Sequence, residues 1–209
     1  MTVHNAFPAA PAEEHYDPTG SRFGMWLFLF TEILLFGGLF LLYSVYRAGH
    51  PAEFHLAAGE LNLAFGTFNT VLLLTSSLTM ACSITAIRLG NARLSTLLLL
   101  ATILFGLVFL FDKYLEWGSK IHHGIFPGSP ALLERPAGEV LFFGLYYVMT
   151  GLHGVHVLAG VALLSYVLYL VVKGRVDGNR YAWLENSGLY WHLVDIIWIF
   201  LFPLLYLIT

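Results

Sequence analysis

Five long apolar stretches leave this chain few places to fold other than lipid. They run over about Arg22–Tyr46, Leu61–Arg88, Leu94–Trp117, Glu139–Val172 and Gly188–Ile208. A helix needs about 20 mostly apolar residues to cross a hydrocarbon core of ~30 Å, and each stretch reaches that length. The fourth is the longest and should tilt or protrude. None alternates polar and apolar residues as a barrel wall would. Backbone groups in lipid must be satisfied internally, which favours helices. The expected fold is therefore all-α and integral to the membrane, a five-transmembrane-helix bundle over 22–209 behind a polar tail at 1–21. In the tail, Pro8, Pro11 and Pro18 oppose helix, and the basic and apolar regions of a signal peptide are missing. The links, such as "RAGHPAEFHLAAG" and the very short "LGNAR", carry the Gly, Pro and Asn of turns. No internal repeat or soluble domain is visible.

Composition agrees. Charged residues make up 11% of the chain, against about 25% in a soluble domain, and mean hydropathy is +0.74. A net charge of -3 argues against a nucleic-acid partner. The single cysteine, Cys82, has no partner for an internal disulfide and reads as a small packing residue. Six of the ten Lys and Arg residues (Arg22, Arg88, Arg93, Lys173, Arg175, Arg180) fall on the N-terminal side of the membrane. Arg47, Lys113, Lys120 and Arg135 fall towards the other. That bias places the N-terminus in the cytoplasm and the C-terminus outside.

Ionisable groups inside spans are expensive, about 2.5 to 3.5 kcal/mol for an aspartate at the helix centre on insertion scales, and they mark function first. Span one holds Glu32. Span three holds Asp112, Lys113 and Glu116 in "FDKYLEW". Span four holds His153 and His156 in "TGLHGVHVLAG", and span five holds His192 and Asp195 in "YWHLVDIIWIFLF". Each pair three or four residues apart shares a helix face. Gly151, Gly154 and Gly160 around the span-four histidines permit close helix approach, so His192 and Asp195 are expected to face them. Lys113 could neutralise Asp112 or Glu116 across a turn. Three histidines and an aspartate could bind copper, iron or zinc, but a second opposed histidine pair is missing for a heme. Hydrogen-bonded helix packing, proton handling and metal binding all stay open from the residues alone. Glu32 lies deep enough that a neutral carboxyl, donating to a neighbouring helix, competes with a proton or gating role. Tyr181, Trp183, Tyr190 and Trp191 suit an interfacial aromatic belt.

Taken in order on four separate spans, these pieces resemble subunit III of the heme–copper respiratory oxidases, which oxidise cytochrome c or quinol. "RFGMWLFLFTEILLFGGLF" is similar to that family's helix with a buried glutamate, here Glu32. "LEW" resembles its E-[YW] helix end, on Glu116. "TGLHGVHVLAG" resembles T-G-[FL]-H-G-x-H-V, on Thr150, Gly151, His153, Gly154, His156 and Val157. "YWHLVDIIWIFLF" resembles the closing Y-W-H-[FL]-V-D-hydrophobic-W motif, on Tyr190, Trp191, His192, Val194, Asp195 and Trp198. The resemblance runs from Arg22 to the C-terminus.

The resemblance implies an accessory subunit with no catalytic residue, heme, copper or other metal of its own. Hemes and copper would sit in partner subunits, and phospholipid would be bound here. Subunit I would be the main contact, with subunit II and a small subunit IV beside it, in a bacterial cytoplasmic membrane. It implies a role for Glu32 and Glu116 near a lipid-filled oxygen route or in proton uptake. It also implies interhelical or lipid contacts for His153, His156, Trp191, His192 and Asp195. Mitochondrial-type members carry seven helices, and the two extra ones would precede Arg22. Lys113 stands where the common pattern has glutamine, which keeps a partner of nitric-oxide reductase in view. A heme-b electron carrier and a proton-coupled transporter are the readings of a different class.

Overall fold

A computed structural model describes residues 18–178 and 180–208. The expected tail lies outside the described residues as far as position 17. Helices α1 (Pro18–Gly49), α3 (Leu63–Arg88), α4 (Ala92–His122), α6 (Ala137–Val172) and α7 (Ala182–Tyr206) are each long and apolar enough to cross a membrane. Two short helices, α2 (Pro51–Gly59) and α5 (Pro130–Leu133), cover the end of the bundle opposite the N-terminus of α1. Among the described residues no strand is formed, so the five-helix fold read from the sequence is what the chain adopts.

The helices overrun the apolar stretches at several ends. α4 continues through Ser119 and Lys120, and α7 starts six residues before Gly188. Hydropathy marks where hydrocarbon stops, whereas a helix continues while propensity and caps allow. Pro18, expected to oppose helix, opens one, because the first turn does not need its missing N–H. The first link is also not all turn. Pro51 starts α2 in the same way, and Glu53 ties α2 to the first turn of α6 through the Gly138 N–H.

The α3–α4 turn shows how little chain a membrane hairpin needs. Gly90 takes φ 77°, a conformation that glycine adopts without strain. The Asn91 N–H then reaches back to the Ala86 carbonyl and the Gly90 N–H to that of Ile87, closing the free carbonyls of α3. Asn91 caps the next helix, its side-chain oxygen accepting from the Leu94 N–H at 3.1 Å.

Lipid is as apolar as leucine, so helices associate through close packing and interior hydrogen bonds instead of through burial of apolar surface. The bundle is arranged accordingly. Leu41, Val45, Leu97, Leu104 and Val155 face outward, while Asn69, Ser76, Ser83, Ser95 and Thr102 are fully enclosed. α7 is the centre: 56% of its most apolar stretch is buried, against 11% for α1, which leans on α6 and α7 from outside.

Trp191 and Tyr190 are not in an interfacial belt. α7 begins at Ala182, which puts Trp191 nine residues, about 14 Å, inside the helix. Its indole is fully buried between α4 and α6. A Cβ on Gly106 would lie 2.7 Å from this ring and one on Gly160 2.8 Å. Only glycine fits at either place. Trp183, 54% exposed, remains near the helix end as a belt residue should.

Gly106→Val and Gly160→Val should each lower the unfolding midpoint of the detergent-solubilised protein, by an overpacking cost of about 1–3 kcal/mol. Gly37→Ala, whose added methyl meets no neighbour within 4 Å, should leave it unchanged.

Candidate functional site

The ionisable residues singled out in the sequence do not converge on one centre. They form three separate polar ties, each between different helices. One tie joins α1 to α6. His156 Nε2 lies 2.9 Å from Glu32 Oε2, and Nδ1 lies 2.8 Å from the Leu152 carbonyl oxygen one turn earlier. A carbonyl only accepts, so Nδ1 must carry a proton and donate. The contact between Nε2 and the carboxyl oxygen then holds one proton, on either side. Phe36 packs edge-on against the imidazole at 5.3 Å, and the Tyr190 hydroxyl donates to the His156 carbonyl at 3.0 Å. An apolar groove of about 340 Å³ between α1 and α7, lined by Ile33, Phe36, Gly37 and Phe200 among others, starts one residue from Glu32.

The second tie joins α7 to α3. Ser77 Oγ is 2.7 Å from His192 Nδ1. Trp191 Nε1 donates to Ser76 Oγ at 3.0 Å, and Asp195 Oδ2 sits 3.5 Å from the same hydroxyl. One turn on, Trp198 Nε1 donates to Thr70 Oγ1 at 3.0 Å. The expectation that His192 and Asp195 face the span-four histidines is therefore corrected. They face a run of serine and threonine on α3, and the partner of Asp195 is a serine where a histidine was the closest candidate by type. Residues three apart on a helix diverge by about 60°, enough for neighbouring helices to separate them. His153 and His156 are split in the same way. His156 turns to α1, while His153 is fully buried between the rings of Phe109 (5.4 Å) and Trp198 (5.3 Å).

The third tie joins α4 to α7 and α3. Lys113 Nζ donates to Glu116 Oε2 at 2.6 Å and to the Tyr206 hydroxyl at 2.7 Å. Tyr206 in turn donates to Glu116 Oε1 at 2.7 Å. The ring of three bonds uses the acceptor and donor of the phenol together. The ammonium also lies 4.6 Å from the Trp198 ring centroid, a favourable cation–π distance. Lys113 thus pairs with Glu116 and not with Asp112, which accepts from Asn69 Nδ2 at 2.6 Å.

Among the described residues no three His, Cys, Asp or Glu side chains come together as a metal site. The three histidines of the spans point to three different neighbours. Sequence reasoning missed Asn69, Ser76, Ser77 and Tyr206. The run "TSSLT" at 75–79 was the available signal for the serines, since hydroxyls spaced along a membrane helix are interhelical glue. At the end that carries the N-terminus of α1, Glu185 accepts from Arg22 at 2.5 Å and from Arg88, tying α1, α3 and α7 together.

Residues 13–209 match the family model described as cytochrome c oxidase subunit III. The chain is 34% identical over 203 residues to cytochrome c oxidase subunit 3 of Synechocystis sp., covering 96% of this chain and 81% of that one. It is 31% identical over 199 residues to cytochrome c oxidase subunit 3 of Thermostichus vulcanus, covering 93% and 90%. A 31% identity over 193 residues links it to a heme-copper oxidase subunit I+III of Aeropyrum pernix, covering 90% of this chain and 22% of that longer one.

Glu32→Gln should keep α1 docked, because the new amide can donate to Nε2. Glu32→Ala should loosen it by about 0.6 kcal/mol, typical of one interhelical hydrogen bond in a membrane. The distance between spin labels on α1 and α6 reads the difference. Equal loosening by both substitutions would show that the pair needs its charges.

Proposed function

This chain belongs to the cytochrome c oxidase subunit III family, and from that premise we propose that it steadies subunit I and its lipid surroundings while doing no redox chemistry itself. It is an accessory subunit of a terminal oxidase, a multi-pass membrane protein whose family associates with subunit I. One observation carries the rest of the reading: Glu32, Asp112, Lys113, Glu116, His156, His192 and Asp195 are each engaged in a tie between helices of this same chain, while His153 is enclosed by aromatic rings. Such an interior binds itself together, which supports a chain that holds no iron or copper of its own. Hemes and copper belong to the partner subunits, with subunit II and a small subunit IV completing the complex. The lysine and arginine bias supports a cytoplasmic N-terminus in the bacterial cytoplasmic membrane.

Within this reading Glu32 and Glu116 have different tasks. Glu116 is closed in by Lys113 and Tyr206 and holds the end of α7. Glu32 lies beside an apolar groove on the least buried helix, where acyl chains or a dissolved apolar gas can reach it. A relative named "Probable quinol oxidase subunit 3", from Staphylococcus saprophyticus and 27% identical over 188 residues, keeps quinol beside cytochrome c as the electron donor of the complex.

Purified from its native membrane in mild detergent, the tagged chain should bring down a heme-bearing subunit I. The isolated chain should show no heme absorption and no stoichiometric iron, copper or zinc. A heme spectrum lost on His153→Ala or His192→Ala would overturn the accessory reading in favour of an electron carrier. A hydrophobic carbodiimide should label Glu32 well before Glu116, as mass mapping of the labelled peptides would show.

A further inference from the structure

Helix α1 is held differently at its two ends. From Gly20 to Leu35 the one buried side chain is Leu29, with Met25 and Glu32 half-buried. The buried positions Leu29, Phe36 and Tyr43 recur every seven residues, and the next place up that seam is Arg22. Its guanidinium, half exposed, meets Glu185 of α7 at 2.5 Å. Beside it Asn186 Nδ2 donates to Ser21 Oγ at 3.0 Å. Behind these two contacts the helix does not pack flush. A cavity of about 530 Å³ separates Gly24, Met25 and Phe28 from Leu163 of α6 and Trp183 of α7. The other end is closed. Tyr43 is fully buried, donates to the Leu204 carbonyl and packs edge-on against Phe54 of α2 at 5.4 Å, and Phe40 meets Phe200 of α7 at 6.1 Å.

Between the two parts stand Gly37 and Gly38. A Cβ at either would meet no atom within 4 Å, so close packing does not require glycine there, in contrast to Gly106 and Gly160. Adjacent glycines inside a helix make it easier to bend at that point. The polar ties lie at unequal distances from the pair. Glu32 is five residues from Gly37, about 8 Å, and Arg22 is fifteen, about 22 Å. A bend of about 10° at the pair moves Glu32 by about 1 Å, a shift its side chain can follow without leaving His156 Nε2. The same bend carries Arg22 about 4 Å, which parts it from Glu185.

We propose that α1 is a hinged strap. It bends at Gly37–Gly38, keeps the Glu32–His156 tie close to the pivot, and uses Arg22–Glu185 as a latch over the cavity between α1, α6 and α7. With the latch open, an apolar chain passes sideways between the bilayer and the cavity while the bundle stays whole. The latch lies at the helix end and is partly exposed, so dissolved salt weakens it. Arg88, which shares Glu185, holds the carboxylate in place for reclosing.

Spin labels at Phe23→Cys on α1 and Val172→Cys at the end of α6, both exposed positions, test it in the intact complex held in lipid nanodiscs, with Cys82→Ser as background. A second pair, Val45→Cys with Val148→Cys, reports the anchored end. Arg22→Gln should add a component about 4 Å longer to the first distance and leave the second alone. Salt raised from about 0.05 M to about 1 M should do the same to the chain with Arg22 in place. Adding Gly37→Ala and Gly38→Ala to Arg22→Gln should remove most of the long component, because alanine stiffens the helix. A first distance that ignores both Arg22→Gln and salt would reject the latch. Equal lengthening at both label pairs would show that α1 leaves as one rigid rod, and a long component that survives the two alanines would place the bend elsewhere. Either result rejects the hinge.

Discussion

Four helices of this bundle meet on one indole. Trp191 rises from α7, lies against Gly106 of α4 and Gly160 of α6, and donates its N–H to Ser76 of α3. Without a hydrophobic effect to press helices together, a large flat ring seated against bare backbone gives the contact area that holds them, and the hydrogen bond fixes its register. The other ties are spaced along the bundle from this point. Trp198 reaches Thr70 two turns further along, the Lys113 ring of bonds closes the far end of α7, and Glu185 with its two arginines closes the near end.

The bundle itself was legible because lipid allows few alternatives. An apolar run of span length in a chain this poor in charge has one backbone solution. Helix ends were less legible, since hydropathy reports the lipid boundary while Ser119, Lys120 and the first turns of α7 are helical beyond it. Pro18 and Pro51 mislead for the same local reason: a proline that forbids helix before it can begin one.

The candidate residues were legible as a set, and their partners were not. Cost in lipid picks out Glu32, Asp112, Lys113, Glu116, His156, His192 and Asp195 one at a time. Which of them meet depends on rotations between helices that spacing does not encode. Residue type points His192 and Asp195 to the histidines of α6, whereas serines on α3 are their neighbours. Asn69 and Tyr206 gave no warning, because neither is costly enough on its own to attract notice in a run of apolar residues. Lys113 against Glu116 was half visible, since the i, i+3 spacing allowed that pair and the adjacent Asp112 equally.

The tight turn between α3 and α4 bears on how the protein enters the bilayer. α3 carries Asn69, Ser76, Thr79 and Ser83 and has mean hydropathy 1.7 over its best stretch, whereas α4 reaches 2.6. Gly90 and Asn91 keep the two within one hairpin, and the Ser83 and Ser95 hydroxyls meet at 3.0 Å just beyond it. A hairpin that leaves the translocon as one body keeps Asn69, Thr79 and Ser83 of α3 against α4, and the more oily helix of the pair carries the less oily one across. The arginines Arg88 and Arg93 flank that turn and would stay on the side from which the hairpin is threaded, which makes the order of synthesis part of what sets the topology.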